Sequence, residues 1–249
     1  MQGKKIALLV GPSLAGLIVF GYGCSPSWGQ SWGERCTGEG RWVAQNRTIG
    51  EFDSIRVGGP IDVQLTPGRA ASLRLEAPAD VMPRVETRVE GGRLVLQVRG
   101  CVNATRDRPI VAHITTRQVR EIEMQGSGDV TIQGQIRRDR LDLDLQGSGD
   151  VRAAVAVRHL ALEIHGSGNA YLSGQTESQD LKVTGSGDVD AARLKARDAR
   201  VRVSGSGDID VLVTGELDAS VSGSGDIVYR GNPAKVHRRV SGSGSIEGA

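Results

Sequence analysis

Aromatic side chains are scarce in this chain of 249 residues: Phe, Trp and Tyr together make up 3%. Something other than a large aromatic core must organise the fold, and the stacking platforms on which single-stranded nucleic acids rest are missing. An excess of either charge is missing as well. Lys+Arg 31 against Asp+Glu 29 leaves +2. Lys4 and Lys5 supply that excess, the rest of the chain from residue 24 onward balances, and no electrostatic footprint for nucleic acid remains. Proline occurs only 8 times and glycine does not recur at every third position, which excludes collagen. The cysteines include no Cys-x-x-Cys pair and so give no structural zinc signal. Long hydrophobic runs are absent too. The apolar stretch Ile6 to Phe20 is interrupted by Gly11, Pro12 and Gly16 and is too short and broken to span a bilayer comfortably. The 38% hydrophobic and 24% charged residues still suffice to close a core, which argues against global disorder.

The N-terminus reads as an export signal over residues 1–23. Lys4 and Lys5 form a basic region ahead of the apolar run. The following Gly21-Tyr22-Gly23-Cys24 resembles the lipobox of bacterial lipoproteins, in which the Cys becomes lipidated; Gly21 and Tyr22 depart from its usual residues. Three readings stand: lipidation at Cys24, a plainly cleaved signal peptide, or an uncleaved anchor. All three place the bulk of the chain outside the cytoplasm, in the periplasm or at the outer membrane or cell surface. Cys36 and Cys101 then remain as a pair in an oxidising compartment, either bridged or as two independent thiols. Residues 24–41, with Ser25-Pro26-Ser27-Trp28-Gly29, read as a tether.

What the chain has in abundance is glycine, 35 residues, about twice the usual share of roughly 7%. Gly-Ser-Gly begins at Gly126, Gly147, Gly166, Gly185, Gly205, Gly223 and Gly242, at intervals of 21, 19, 19, 20, 18 and 19. A period near 19 is too short for a helical hairpin or a propeller blade and matches one turn of a β-solenoid. Parity agrees. Two residues before the motifs stand Met124, Leu145, Ile164, Val183, Val203, Val221 and Val240. Four before stand Ile122, Leu143, Leu162, Leu181, Val201, Ala219 and then Arg238. Four after the first glycine come Val130, Val151, Ala170, Val189, Ile209, Ile227 and Ile246. All these offsets are even, so one face of an extended chain is apolar or Gly and the other polar. The pattern predicts an all-β chain, a single-stranded right-handed parallel β-helix with about 19 residues per turn and an irregular first half. The domain runs over 42–249, with regular repeats over 120–249. In the first half, Val85, Thr87 and Val89 face Leu94, Leu96 and Val98 across Glu90-Gly91-Gly92-Arg93, a predicted hairpin.

Phe52-Asp53-Ser54-Ile55-Arg56-Val57, Ile61-Asp62-Val63, the Gly91-Gly92-Arg93-Leu94 turn and Ile122-Glu123-Met124-Gln125-Gly126-Ser127-Gly128-Asp129-Val130 together resemble the head GIN domain of putative auto-transporter adhesins. The resemblance covers roughly residues 45–249. It implies an exported bacterial β-helix, often a lipoprotein, without a demonstrated enzymatic activity.

Three constellations invite chemistry. The residues closing the motifs form a column, Asp129, Asp150, Asn169, Asp188, Asp208, Asp226 and Ser245. Stacked carboxylates, Asp188, Asp208 and Asp226 above all, would recruit Ca²⁺. The other reading has each residue bonding nearby backbone amides at a bend, and Asn169 and Ser245 favour it because they keep the acceptor but not the charge. The serines Ser127, Ser148, Ser167, Ser186, Ser206, Ser224 and Ser243 lack the Gly-x-Ser-x-Gly elbow of a hydrolase and are expected to form a hydroxyl ladder along the wall. Of the four histidines, His165 alone stands near a ladder, where a solvated surface role is expected, and its spacing from His159 does not make a metal clamp.

No cofactor is expected. Two function classes follow: a non-catalytic, envelope-anchored solenoid that binds an envelope protein or a polysaccharide, acts in adhesion or serves as a scaffold, and a carbohydrate-active β-helix, lyase or hydrolase. The second needs loops that build a cleft and exposed aromatic subsites. The turns here vary by at most three residues, and Tyr171 and Tyr229 fall at different offsets. The last motif stands close to Ala249, and Arg238 is expected to place a charge at that edge, giving a monomer or an end-to-end dimer.

Overall fold

A computed structural model of the chain describes residues 38, 40–100 and 109–249. Cys24, Cys36 and Cys101, with the signal and most of the tether, lie outside the described residues. The first strands are β1 (Trp42–Arg47), β2 (Ser54–Gly58), β3 (Ile61–Pro67), β4 (Ser72–Pro78), β5 (Val85–Glu90), β6 (Arg93–Val98) and β7 (Ile110–Thr116). The repeats supply β8 (Glu121–Gly126), β9 (Val130–Gly147), β10 (Val151–Gly166), β11 (Ala170–Gly185), β12 (Val189–Gly205), β13 (Ile209–Val213), β14 (Glu216–Gly223), β15 (Ile227–Arg230), β16 (Lys235–Gly242) and β17 (Ile246–Gly248). Among the described residues there is no α-helix, only a 3₁₀ turn at Met82–Arg84.

From β8 onward every strand pairs in parallel with its equivalent one turn away, as Leu162 with Leu143 and Leu181. The chain is thus a parallel β-solenoid. Through the sixth motif the apolar even offsets point inward. The column Ile122, Leu143, Leu162, Leu181, Val201 and Ala219 is buried throughout, and each Ile, Leu or Val side chain there gains about 1.5–3 kcal/mol over exposure. The departures from a 19-residue repeat appear as local irregularities. The 21-residue interval is absorbed by a register shift opposite Arg152–Ala154, where β9 bulges out through Gly134 at φ 108°. The 20-residue interval is absorbed by a shift between Tyr171 and Ser173 against β12. In the 18-residue turn the shift between Ala191 and Lys195 lets β13 cut the corner.

The irregular first half is a cap built on one more rung. β2 and β3 lie in parallel on β8 and β9, with Val57 opposite Met124 and Val63 opposite Val130. Gly59 and Asp62 therefore stand where later turns carry the first glycine and the closing Asp. The chain then folds back: β4 runs antiparallel between β1 and β7, and β6 and β7 cover β2 and β3 in parallel. The expected hairpin is present in the expected register, Val85 opposite Val98 and Val89 opposite Leu94. Gly91 and Gly92, at φ 57° and 78°, supply its turn.

Candidate functional site: the motif columns and the outer wall

The two glycines of each motif answer two requirements. The first sits at φ between 129° and 148° in all seven motifs, a conformation that side-chain-bearing residues avoid. The second packs against backbone: a Cβ on Gly149 would lie inside the contact shell of the Gly128 carbonyl oxygen. The close approach lets the serine amide of one turn reach the glycine carbonyl of the turn before, as Ser167 N–H does to Gly147 O at 2.9 Å.

The closing residues form the polar ladder. Asp62 Oδ1 accepts from the amide of Asp129 at 2.9 Å, and Asp129 Oδ1 from that of Asp150 at 2.8 Å. Asp150 Oδ1 accepts from Asn169 and Asn169 Oδ1 from Asp188, each at 3.0 Å. Asp188 and Asp208 continue to Asp208 and Asp226 at 2.8 Å, and Asp226 reaches the amide of Ser245 at 2.6 Å. Each side chain thus bonds the equivalent amide one turn on, not an amide of its own bend. Asn169 also donates its Nδ2 to Asp150 Oδ1 at 3.0 Å, tying two rungs where two carboxylates would only repel. Burial pushes the carboxyl of Asp62 above the ordinary range, with the charge of Asp129 adding to it against the amide bond. Among the described residues no cluster of three or more His, Cys, Asp or Glu is arranged to hold a metal ion.

The motif serines follow glycines that stand in register from turn to turn, as Gly166 does with Gly185. The serines of the motif are exposed, and none of their hydroxyls bonds another. The odd offset turns each hydroxyl to solvent. His165 meets Glu163 at 3.3 Å, not the Ser167–Asn169 region, and Lys182 meets the same carboxylate at 3.2 Å. Lys182 first, then His165, holds Glu163 below the usual carboxylate range against its partial burial. His159 bonds Ser178 at 2.8 Å. Tyr171 is exposed and lies 4.7 Å from Arg152. Tyr229, expected outside, is buried: counted from Gly223 its offset is even, so it faces the core, where Arg238 covers its ring at 4.9 Å.

The strands that precede the motifs present a polar outer wall. One column reads Arg56, Glu123, Asp144, Glu163, Lys182, Arg202, Ser220 and Arg239. At the cap end the wall opens into a cleft of about 450 Å³ lined by Arg56, Arg88, Arg93 and Arg120. Every one of these arginines has a carboxylate: Glu123 at 2.6 Å, Glu90 at 2.7 Å, Glu121 at 3.0 Å and Asp53 at 2.7 Å, in that order. Arg120, bonded to Asp53, holds that carboxyl below its ordinary range. Apart from Arg88 with Glu90, both in β5, the pairing spans the cap and the first repeat, and no local motif in the sequence announces it.

A family model described as putative auto-transporter adhesin, head GIN domain, matches residues 51–233. The chain belongs to this family. Among solved structures, a putative adhesin from Bacteroides fragilis NCTC 9343 is 24% identical with a TM-score of 0.81, over 84% of this chain and 97% of that one. A putative lipid binding protein from Parabacteroides distasonis ATCC 8503 is 24% identical with a TM-score of 0.70, over 87% and 100%. A putative adhesin from Parabacteroides merdae ATCC 43184 is 21% identical with a TM-score of 0.68, over 85% and 98%. No curated protein matches. The structural likenesses, all under 25% identity, speak for the fold: the head GIN domain is an adhesin-like β-solenoid.

Proposed function

We propose that this head GIN chain is an exported, non-catalytic binding protein of the cell envelope, anchored through lipid on Cys24, whose outer wall contacts a polysaccharide or an envelope protein. The observation that carries the reading is the outer wall itself. Stacked turns fix its side chains on rungs about 4.8 Å apart, and ion pairs such as Arg202 with Asp180 at 3.3 Å and Arg200 with Asp218 at 3.6 Å link neighbouring turns. A regular, preorganised polar surface loses little freedom when it meets an extended partner. A glycan array combined with a lyase assay on acidic polysaccharides tests it. Binding without turnover is the expected result, and turnover moves the chain to the carbohydrate-active class. Mass spectrometry of the mature N-terminus tests the anchor: a diacyl or triacyl mass on Cys24 is expected, and an unmodified N-terminus overturns it.

A further inference from the structure

A second cleft, of about 320 Å³, opens on the repeat side of the cap. It exists because of the longest repeat. β3 follows β9 only as far as Leu65 opposite Ile132; there β9 bulges through Gly134 and from Gln135 onward pairs with β10. The two strands splay, and residues 116–119 pass over the gap. Its apolar lining is the exposed ring of Pro67 with the edges of the core side chains Val119 and Ile136, and Arg117, Arg137 and Arg138 stand around it.

These arginines differ from those of the larger cleft. There every guanidinium has a carboxylate. Here, among the described residues, none of the three forms an ion pair; Arg138 donates instead to the backbone carbonyl of Arg117. Three guanidinium groups without counter-ions beside an apolar floor make a local excess of positive charge in a chain that is otherwise almost balanced, and the planar fork suits phosphate and carboxylate oxygens. We propose that this cleft binds a small anionic amphiphile, a phosphate or carboxylate on a short apolar chain, with the arginines holding the anion and the tail lying along Pro67 and the edges of Val119 and Ile136. The site is separate from the outer wall and does not rest on the function proposed for it.

Calorimetry on the chain with hexyl phosphate, heptanoate, inorganic phosphate and hexanol tests the assignment. Burying two methylene groups corresponds to about tenfold in affinity. Either amphiphile should therefore bind at least about tenfold tighter than inorganic phosphate or hexanol, and the tighter of the two identifies the preferred head group. Arg117→Gln with Arg137→Gln should weaken that binding by about tenfold or more while leaving the melting temperature unchanged. Arg93→Gln, in the neutralised cleft, should leave the binding as it is. Equal affinity for inorganic phosphate and hexyl phosphate overturns the amphiphile, as does no heat with any probe. A loss as large in Arg93→Gln as in the double variant overturns the location.

Discussion

At the residue scale the closing position of each turn needs an oxygen that reaches an amide one rung on, and charge is incidental to that task. Asn169 performs it in the middle of the column with its amide oxygen. Asp188→Asn should therefore leave the melting temperature nearly unchanged, whereas Asp188→Ala removes the acceptor for Asp208 N–H and should cost about 1–2 kcal/mol, a fall of a few degrees for a domain of this size. Equal losses in both variants would show that the carboxylate charge matters. Asp62 is the opposite case, because its folded-state pKa is raised. A raised carboxyl pKa penalises the ionised form, so the penalty is present at neutral pH and vanishes once the group is protonated in both folded and unfolded chains. Asp62→Asn should raise the melting temperature at pH 7, and the advantage should close in acid, below the ordinary Asp value of 3.8. A pH-independent difference would refute the electrostatic account. The lowered carboxyls of Asp53, Glu163 and Asp198 act with the other sign, their contributions being lost as pH falls below the ordinary carboxylate range.

At the element scale, the repeats and the β5–β6 hairpin were legible and the rest of the cap was not, for a physical reason. A period of two fixes which side chains enter the core, and seven copies leave the frame unambiguous, which is why the inward columns follow from the residues alone; the Gly91-Gly92 turn does the same for the β5–β6 register. The rung formed by β2 and β3 carries the same chemistry at Gly59 and Asp62, but the inserted strands separate it by 67 residues from Gly126 and Asp129. Pro60 and Ile61, in the places of Ser and the second Gly, hide it further. Within the repeats, Tyr229 is the position that departs from the expected exposure. It stands three residues past Asp226, itself at an odd offset, so it lies at an even offset from Gly223 and turns into the core. The cap also bears on Cys36 and Cys101. Gly38 N–H bonds Asp80 Oδ2 at 3.1 Å, Arg41 O accepts from Ala79, and Arg99 N–H bonds Arg84 O at 3.1 Å. The segments that follow Cys36 and precede Cys101 thus dock on the same short stretch, residues 79–84, two residues from either cysteine. We propose that the two pair. Non-reducing peptide mapping should recover the Cys36–Cys101 linked peptide. Because the bridge closes a loop of about 65 residues, reduction should cost up to about 4 kcal/mol. Free thiols at both positions in protein purified from an oxidising compartment would end the idea.

At the scale of the whole molecule, a solenoid holds each turn only through its neighbours, so stability sums over local interfaces and need not be uniform. β10 and β11 have a partner on both sides along nearly their full length. β16 and β17 have one partner each, on one side. Side-chain burial follows the pairing: β10 and β11 alternate buried and exposed positions, whereas β16 is exposed along almost its whole length and Val240, in a column buried in every earlier turn, is 48% exposed. Arg238 stands at the end of the aliphatic column, stacked on Tyr229 and bonded to the carbonyl of Ile246 at 3.3 Å. It closes the last turn with a cation–π contact, which supplies about 1 kcal/mol, where an interior rung has aliphatic packing on both faces. The last turn should therefore open locally without the rest of the solenoid. Hydrogen exchange under native conditions should show the amides of β16 and β17 exchanging at least about tenfold faster than those of β10 and β11. Arg238→Ala should widen that gap by accelerating β16 and β17 while leaving the central turns unchanged. Uniform protection from β10 to β17, or acceleration everywhere in Arg238→Ala, would mean that the column of side-chain–amide bonds from Asp62 to Ser245 couples all the turns into one cooperative unit.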